Sequence, residues 1–287
     1  MIQLNKKLDA SRGYQWFVKA WGMFTTAPMM FVLWQLAFYG GSVLLSLVPF
    51  GFILQMILGF INSFGAWTVI HHFAKTKEFD WKKFLSPFDD RLGKIIVFAI
   101  LAATPVFVGV FVSAVYIIAK MYSVISGMNF DPENPDFANI LMETYSQLPI
   151  ANILLSALFT LICIVISVVI QSFGSPLIVL TTATPLEAAK LSLKAFFSNL
   201  GAIFIAILTI IGIGIAVILT FGMGAVVASP LIILAQYIAF MEILGGKNTF
   251  TNPTPHQNTQ LAANANQSDN PFQNHVNNAD PTDPTKL

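Results

Sequence analysis

Six long hydrophobic runs dominate the chain and limit what it can fold into. Each is close to the about 20 residues that an α-helix needs to cross a bilayer, and none carries a charged side chain in its middle third. Only 10% of the 287 residues are charged, whereas soluble proteins carry about 25%. The sequence therefore predicts an all-α, polytopic transmembrane helical bundle. The six spans are expected at about residues 29–48, 52–70, 95–119, 150–180, 202–221 and 225–244.

Amphipathic stretches precede three of these spans, within residues 1–28, 80–94 and 184–201. Apolar residues recur in each at the spacing of one helix face, and Thr184 followed by Pro185 is typical of a helix start. We expect three helices lying at the membrane surface, with aromatic rings at the level of the headgroups and lysines in water. The predicted apolar stripes are Tyr14, Phe17, Trp21 and Phe24 in the first, Trp81, Phe84, Leu85, Phe88 and Leu92 in the second, and Leu186, Ala189, Leu193, Phe196, Phe197 and Leu200 in the third.

Short motifs recur along the chain. Ser63-Phe64-Gly65 is matched by Ser172-Phe173-Gly174, and the six residues 175–180 resemble residues 229–234. Together with the amphipathic stretches, they predict a threefold internal repeat of one amphipathic helix plus two spans. The three copies would occupy about residues 10–70, 80–180 and 184–245.

Basic residues are concentrated in the N-terminal segment and in the connections 71–94 and 181–201, whereas the connection 120–149 is acidic. By the positive-inside rule, we expect the basic segments and both termini to be cytoplasmic and the acidic loop to be outside. The basic side chains would contact lipid headgroups. The candidates are Arg12, Lys19, Lys82, Lys83, Lys190 and Lys194.

Three segments follow from this organisation: an amphipathic N-terminal segment, 1–28, a transmembrane domain, 29–245, and a C-terminal tail, 246–287. The tail is rich in Asn, Gln, Pro and Thr, so we expect it to be disordered. No secretory signal peptide is recognisable at the N-terminus. The net charge of +1 does not indicate a nucleic-acid partner.

Six side-chain amides fall inside the predicted spans. They have two interpretations: hydrogen bonds that hold neighbouring helices together, or the lining of a solute path. The second interpretation predicts a shared cavity for Gln35, Asn62, Gln171 and Gln236. No intramembrane acid or base marks a proton relay, which argues against proton-coupled transport. The six amides are Gln35, Gln55, Asn62, Asn152, Gln171 and Gln236.

Prolines interrupt three of the spans, at Pro105, Pro176 and Pro230. They are expected to kink these helices, or alternatively to break them around a substrate site. Small residues such as Gly109 and Ser113 indicate close helix contact.

No catalytic, cofactor-binding or metal-binding motif is recognisable. His71 and His72 are adjacent, so they point in different directions on a helix and form a poor metal pair. The cluster Asp89-Asp90-Arg91 is interpreted as a solvated helix start. We therefore expect no cofactor and a protein that is not an enzyme.

Several motifs resemble those of a family of multi-pass inner-membrane proteins of Gram-negative proteobacteria whose activity is uncharacterised. The motifs are Arg12-Gly13-x-x-Trp16 with Phe24-x-x-x-Pro28, then Ser175-Pro176-Leu177-Ile178 with Pro185-x-x-Ala188, Ser192 and Asn199, and finally Tyr237 with Glu242. The resemblance covers about residues 10–245 and implies a bundle in the bacterial inner membrane. It implies no catalytic residue.

The leading functional hypothesis is a non-enzymatic protein that binds lipid or a partner in the bacterial envelope. The alternative is a transporter or channel for a small or amphipathic solute, and a lipid-modifying enzyme is a weaker third. The expected partners are membrane lipids and a membrane protein or a second copy of the chain.

Overall fold

The computed structural model describes residues 7–125, 139, 142 and 149–245. Within these residues the secondary structure is helical and contains no strand. A 3₁₀ turn, Trp81–Phe84, lies between the third and fourth α-helices. The helices are α1 (Arg12–Phe24), α2 (Pro28–Ser46), α3 (Gly51–Thr76), α4 (Ser86–Ile125), α5 (Ile150–Leu180), α6 (Pro185–Ser198), α7 (Leu200–Leu219) and α8 (Ala225–Leu244).

Six of these helices, α2, α3, α4, α5, α7 and α8, are long and apolar enough to cross a membrane. The prediction of an all-α, multi-pass membrane protein is therefore confirmed. The longest, α4, has 40 residues and a length of about 60 Å, roughly twice the thickness of a hydrocarbon core. The acidic residues of the predicted loop 120–149 and the tail 246–287 lie outside the described residues.

Helix α1 packs against α7 and α8. Its buried residues are Gly13, Trp16, Phe17, Ala20 and Phe24. Of the predicted stripe, Phe17 and Phe24 are buried against the protein, whereas Tyr14 and Trp21 are 59% and 53% exposed at its surface. The contact with α7 needs a glycine: a Cβ added at Gly13 would overlap the carbonyl oxygen of Ala202.

Helix α6 begins at Pro185 with Thr184 as its N-cap, as predicted, and this start is a capping box that includes Glu187. The Thr184 hydroxyl accepts a hydrogen bond from the backbone N–H of Glu187, and the Thr184 N–H donates to the Glu187 carboxylate at 2.9 Å. These bonds satisfy donors that a helix start leaves unpaired. The helix then packs on α5, where the buried Ser192 donates to the carbonyl oxygen of Val169 at 2.6 Å.

The third predicted stripe is likewise exposed in part at the surface of the protein. The buried residues of α6 are Ala188, Ala189, Ser192 and Ala195, whereas Leu186 and Phe197 are 54% and 64% exposed. Small residues bury because they let two helices approach closely.

The second amphipathic stretch forms no separate helix. Its first residues make the 3₁₀ turn, and the rest are the first turns of α4. The threefold repeat therefore stays a prediction. The glycines of the two Ser-Phe-Gly motifs are both closely packed, but against different groups. A Cβ at Gly65 would overlap the backbone of Phe84, and one at Gly174 would overlap the ring of Phe98 and lie 3.6 Å from the carbonyl oxygen of Ala188.

Arg91 is not a solvated charge, so that interpretation of the acidic–basic cluster is wrong for this residue. Its guanidinium Nη1 donates to the carbonyl oxygens of Val179 and Thr181 at 2.7 and 2.6 Å. These carbonyls belong to the C-terminal end of α5, where a helix leaves oxygens without intrahelical partners. Arg91 thus fixes the start of α4 to the end of α5.

The three prolines lie inside continuous helices, Pro105 in α4, Pro176 in α5 and Pro230 in α8. Small and hydroxyl residues bring α4 and α5 together, as predicted for Gly109 and Ser113. The Ser113 and Thr160 hydroxyls are 2.8 Å apart, and Thr160 donates to the carbonyl oxygen of Gly109 at 3.4 Å.

Candidate functional site

A cavity of about 510 Å³ lies between α1, α3, α5, α6, α7 and α8. Most of its lining is apolar, including Trp67, Phe173 and Ile203. None of the described lining residues carries a formal charge. The polar side chains of the lining are Asn62, Ser63, Gln171, Ser172, Ser175 and Gln236.

The cavity lies in one half of the bundle. The lining residues are numbers 62–67 in α3, 168–175 in α5, 203–210 in α7 and 232–239 in α8. Consecutive spans of a membrane bundle run in opposite directions, so most of these positions are nearer the end of the bundle that carries α1 and α6, and the others lie close to the middle. The residues Trp16 and Phe17 of α1 and Phe196 of α6 complete the wall.

The wall reaches the side of the bundle. Val168 and Ile207 line the cavity and are also 57% and 43% exposed. Both residues are within membrane spans.

Three of the six predicted amides line this one cavity: Asn62, Gln171 and Gln236. The Gln236 amide donates to the carbonyl oxygen of Ser172 at 2.8 Å, and the Asn62 oxygen accepts from the Trp34 indole at 2.9 Å. Gln171 is exposed. The structure therefore brings together three of the four amides that the solute-path interpretation predicts to share a cavity.

The other three amides lie elsewhere, which contradicts a shared cavity for Gln35. Gln55 donates to the carbonyl oxygen of Ser42 at 2.7 Å, which connects α3 to α2. Asn152 accepts from the Tyr116 hydroxyl at 2.9 Å, which connects α5 to α4. Gln35 is 3% exposed, and its amide nitrogen has no partner among the described residues. Gln55 and Asn152 therefore hold helix hairpins together.

Trp67 lines the cavity with its ring, while its indole nitrogen is buried. Its side chain lines the wall and is 5% exposed, and the indole nitrogen has no acceptor among the described residues. A buried donor without a partner costs about 1–3 kcal/mol.

A charged cluster adjoins the cavity at Trp16. This side chain is 2% exposed, lines the cavity, and donates from its indole nitrogen to Glu242 Oε2 at 3.2 Å. Arg12 Nε lies 3.2 Å from Glu242 Oε1, and Lys19 Nζ lies 3.5 Å from Oε2. We call Arg12, Trp16, Lys19 and Glu242 the α1 cluster. Arg12 and Lys19 thus bind a carboxylate of α8, a contact that their prediction as lipid contacts did not include.

The other predicted headgroup contacts have no acidic partner within 4.0 Å among the described residues. Lys190 and Lys194 are exposed on α6, and Lys82 is exposed and Lys83 half-buried on the 3₁₀ turn. They remain candidates for lipid headgroups.

The predicted site residues did not include Trp16, which entered only through the resemblance motif Arg12-Gly13-x-x-Trp16, nor Trp67, and the partners of Glu242 were not predicted. A signal was present for Trp16, three residues after Gly13, because these positions share one helix face. Nothing in the sequence marks the pairing of Arg12 with a residue 230 positions away.

The structure offers no evident metal site in the part of the chain that it describes, where no three His, Cys, Asp or Glu side chains come together. His71 is engaged by the Tyr237 hydroxyl, 2.9 Å from its Nδ1. This contact links α3 to α8.

Comparison with known proteins identifies no relative of this chain. No protein-family model matches the chain, and no curated protein or solved structure shows significant similarity to it.

Proposed function

We propose that this is a non-enzymatic protein that binds a membrane lipid in the cavity between its helices. One observation carries the proposal: the cavity is mostly apolar and uncharged, and two of its lining residues, Val168 and Ile207, are exposed on helices long and apolar enough to cross a membrane. Its volume of about 510 Å³ falls within the range of about 300–1,000 Å³ for small-molecule sites.

The chemistry of the wall suits an amphipathic molecule. Apolar side chains of α3, α5, α7 and α8 would contact acyl chains by dispersion. The amides of Asn62, Gln171 and Gln236 would form hydrogen bonds with polar atoms such as ester oxygens.

The distribution of basic residues supports a location and an orientation. We propose a bacterial inner-membrane protein with cytoplasmic termini, because Lys and Arg are concentrated at the end of the bundle that carries α1 and α6. The motifs that resemble the inner-membrane family fit this location. A membrane-protein partner or a second copy of the chain remains part of the proposal.

The test fills the cavity without changing charge. Ala206 lines the cavity in α7, whereas Ala216 is exposed in the same helix and is not part of the lining. Ala206→Phe and the matched control Ala216→Phe would be purified in mild detergent, and the co-purifying lipid would be counted by mass spectrometry. We expect the wild type and the control to keep bound lipid and Ala206→Phe to lose it. Equal retention by all three proteins would overturn the proposal.

A second candidate is transport of a small amphipathic solute, favoured by the three amides that share the cavity. It requires water to reach the site. The cavity residues Asn62 and Gln236 would be changed singly to cysteine in a Cys163→Ser background and treated with a membrane-impermeant thiol reagent. Modification of both would favour transport, and protection of both would favour lipid binding alone.

A further inference from the structure

The α1 cluster places positive charge at the edge of the cavity. Among the described residues it contains two cations and one carboxylate, with both Trp16 and Lys19 contacting the same oxygen, Glu242 Oε2. Arg12 and Lys19 are 41% and 51% exposed in their side chains, whereas that of Glu242 is 19% exposed. The cations therefore face outward and the carboxylate inward.

Trp16 connects this cluster to the cavity. One indole ring both lines the apolar wall and donates to Glu242. A lipid whose acyl chains occupy the cavity would have its polar headgroup toward the same end of the bundle, because α1 lies at that end. The headgroup would thus lie near Arg12 and Lys19.

From this juxtaposition we infer that the ligand of the cavity is an anionic phospholipid, with its phosphate near Arg12 and Lys19. The inference rests on the proposed function and adds the chemical class of the lipid. A zwitterionic headgroup would bring its own ammonium group near the two cations, whereas an anionic headgroup has no such repulsion. One basic side chain near an anionic headgroup contributes enough to favour it about fivefold.

The test varies the headgroup while the acyl chains are kept the same. The delipidated full chain in detergent would be incubated with equal amounts of phosphatidylglycerol and phosphatidylcholine carrying identical chains, and bound lipid would be identified by native mass spectrometry. We expect the wild type to bind phosphatidylglycerol in about fivefold excess over phosphatidylcholine.

Lys19→Gln is the informative variant. It removes the excess positive charge and leaves the Arg12–Glu242 ion pair in place, so the protein should still fold. We expect it to bind lipid with no headgroup preference. Lys82→Gln is the matched control, because Lys82 is exposed on the 3₁₀ turn and is not part of the cavity lining, and it should keep the preference.

The outcomes separate this inference from the proposed function. If the wild type binds both lipids equally, or if Lys19→Gln keeps the full preference, the headgroup assignment is wrong although the cavity still binds lipid. If the wild type binds neither lipid, the proposed function fails and the assignment fails with it.

Discussion

Helices α1 and α6 each precede a membrane span and each present basic side chains, yet they are attached to the bundle in different ways. The cations Arg12 and Lys19 of α1 lie within 3.5 Å of Glu242 on α8. Lys190 and Lys194 of α6 are exposed, and α6 is held by the buried hydroxyl of Ser192. Two helices with the same amphipathic pattern are therefore held in different ways: α1 by ion pairs to Glu242, and α6 by a hydrogen bond between neutral groups.

The difference bears on function as well as on stability. Helix α1 contributes Trp16 and Phe17 to the cavity, while α6 contributes Phe196. Variants that loosen α1 should therefore disturb the cavity more than variants that loosen α6.

The largest effect is expected at the close contact between α1 and α7. Gly13→Ala should lower the free energy of unfolding by about 3 kcal/mol, since the new Cβ would overlap backbone atoms of Ala202. Thermal unfolding in detergent would measure it. Gly22→Ala is the control in the same helix, because a Cβ there meets nothing within 4 Å, and it should stabilise by about 0.5–1 kcal/mol. Equal destabilisation by both would contradict the docked position of α1.

A smaller effect is expected when the ion pairs of α1 are broken. Glu242→Gln removes the carboxylate that Arg12, Lys19 and Trp16 share. We expect a loss of about 1–2 kcal/mol, reduced from the value for a buried charge because the two cations are partly exposed. The exposed Glu78→Gln should change the melting temperature little. If Glu242→Gln has the same melting temperature as the wild type, the α1 cluster does not hold α1 in place.

The attachment of α6 should be weaker still. The Ser192 hydroxyl donates to the carbonyl oxygen of Val169 and accepts from the N–H of Phe173 at 3.2 Å. Ser192→Ala should cost about 1 kcal/mol, as for the loss of a neutral hydrogen bond. Ser198→Ala, at the half-buried end of the same helix, should be neutral in the same melting experiment. If Ser192→Ala lowers the free energy of unfolding more than Glu242→Gln does, α6 is attached more strongly than α1, which would contradict the proposed order.

These attachments also show where sequence reasoning succeeds and where it stops. The six spans could be predicted because a bilayer sets both the length and the apolarity of a spanning helix. The buried faces of α1 and α6 could not, because large apolar residues such as Trp21 and Phe197 are as stable against lipid as against protein. Helix α6 buries small residues such as Ala188, whereas α1 buries Gly13 together with the large Trp16 and Phe17, so close approach of the helices decides the packed face along with hydrophobicity.

The candidate site was predictable in part for a related reason. Amides in spans need partners, so Asn62, Gln171 and Gln236 could be recognised as notable positions. Whether an amide binds a neighbouring helix or faces a cavity depends on the packing of several helices. Gln55 and Asn152 form such bonds within hairpins, and nothing in their local sequence distinguishes them from the cavity residues.

The smallest effect is expected at the start of α6, where the charge of Glu187 and its hydrogen bonds to Thr184 can be distinguished by their pH dependence. Hydrogen bonds from the backbone N–H and then the hydroxyl of Thr184 lower the pKa of the Glu187 carboxyl below its ordinary value of 4.5. The folded pKa is lower than the unfolded one, so the carboxylate stabilises the fold above about pH 4.5, and this contribution is lost as the pH falls through the folded pKa. Glu187→Gln keeps an acceptor for Thr184 but carries no charge. The difference in melting temperature between wild type and variant should therefore be constant near neutral pH and shrink in acid. A difference that persists unchanged down to about pH 3 would show that the charge of Glu187 does not contribute.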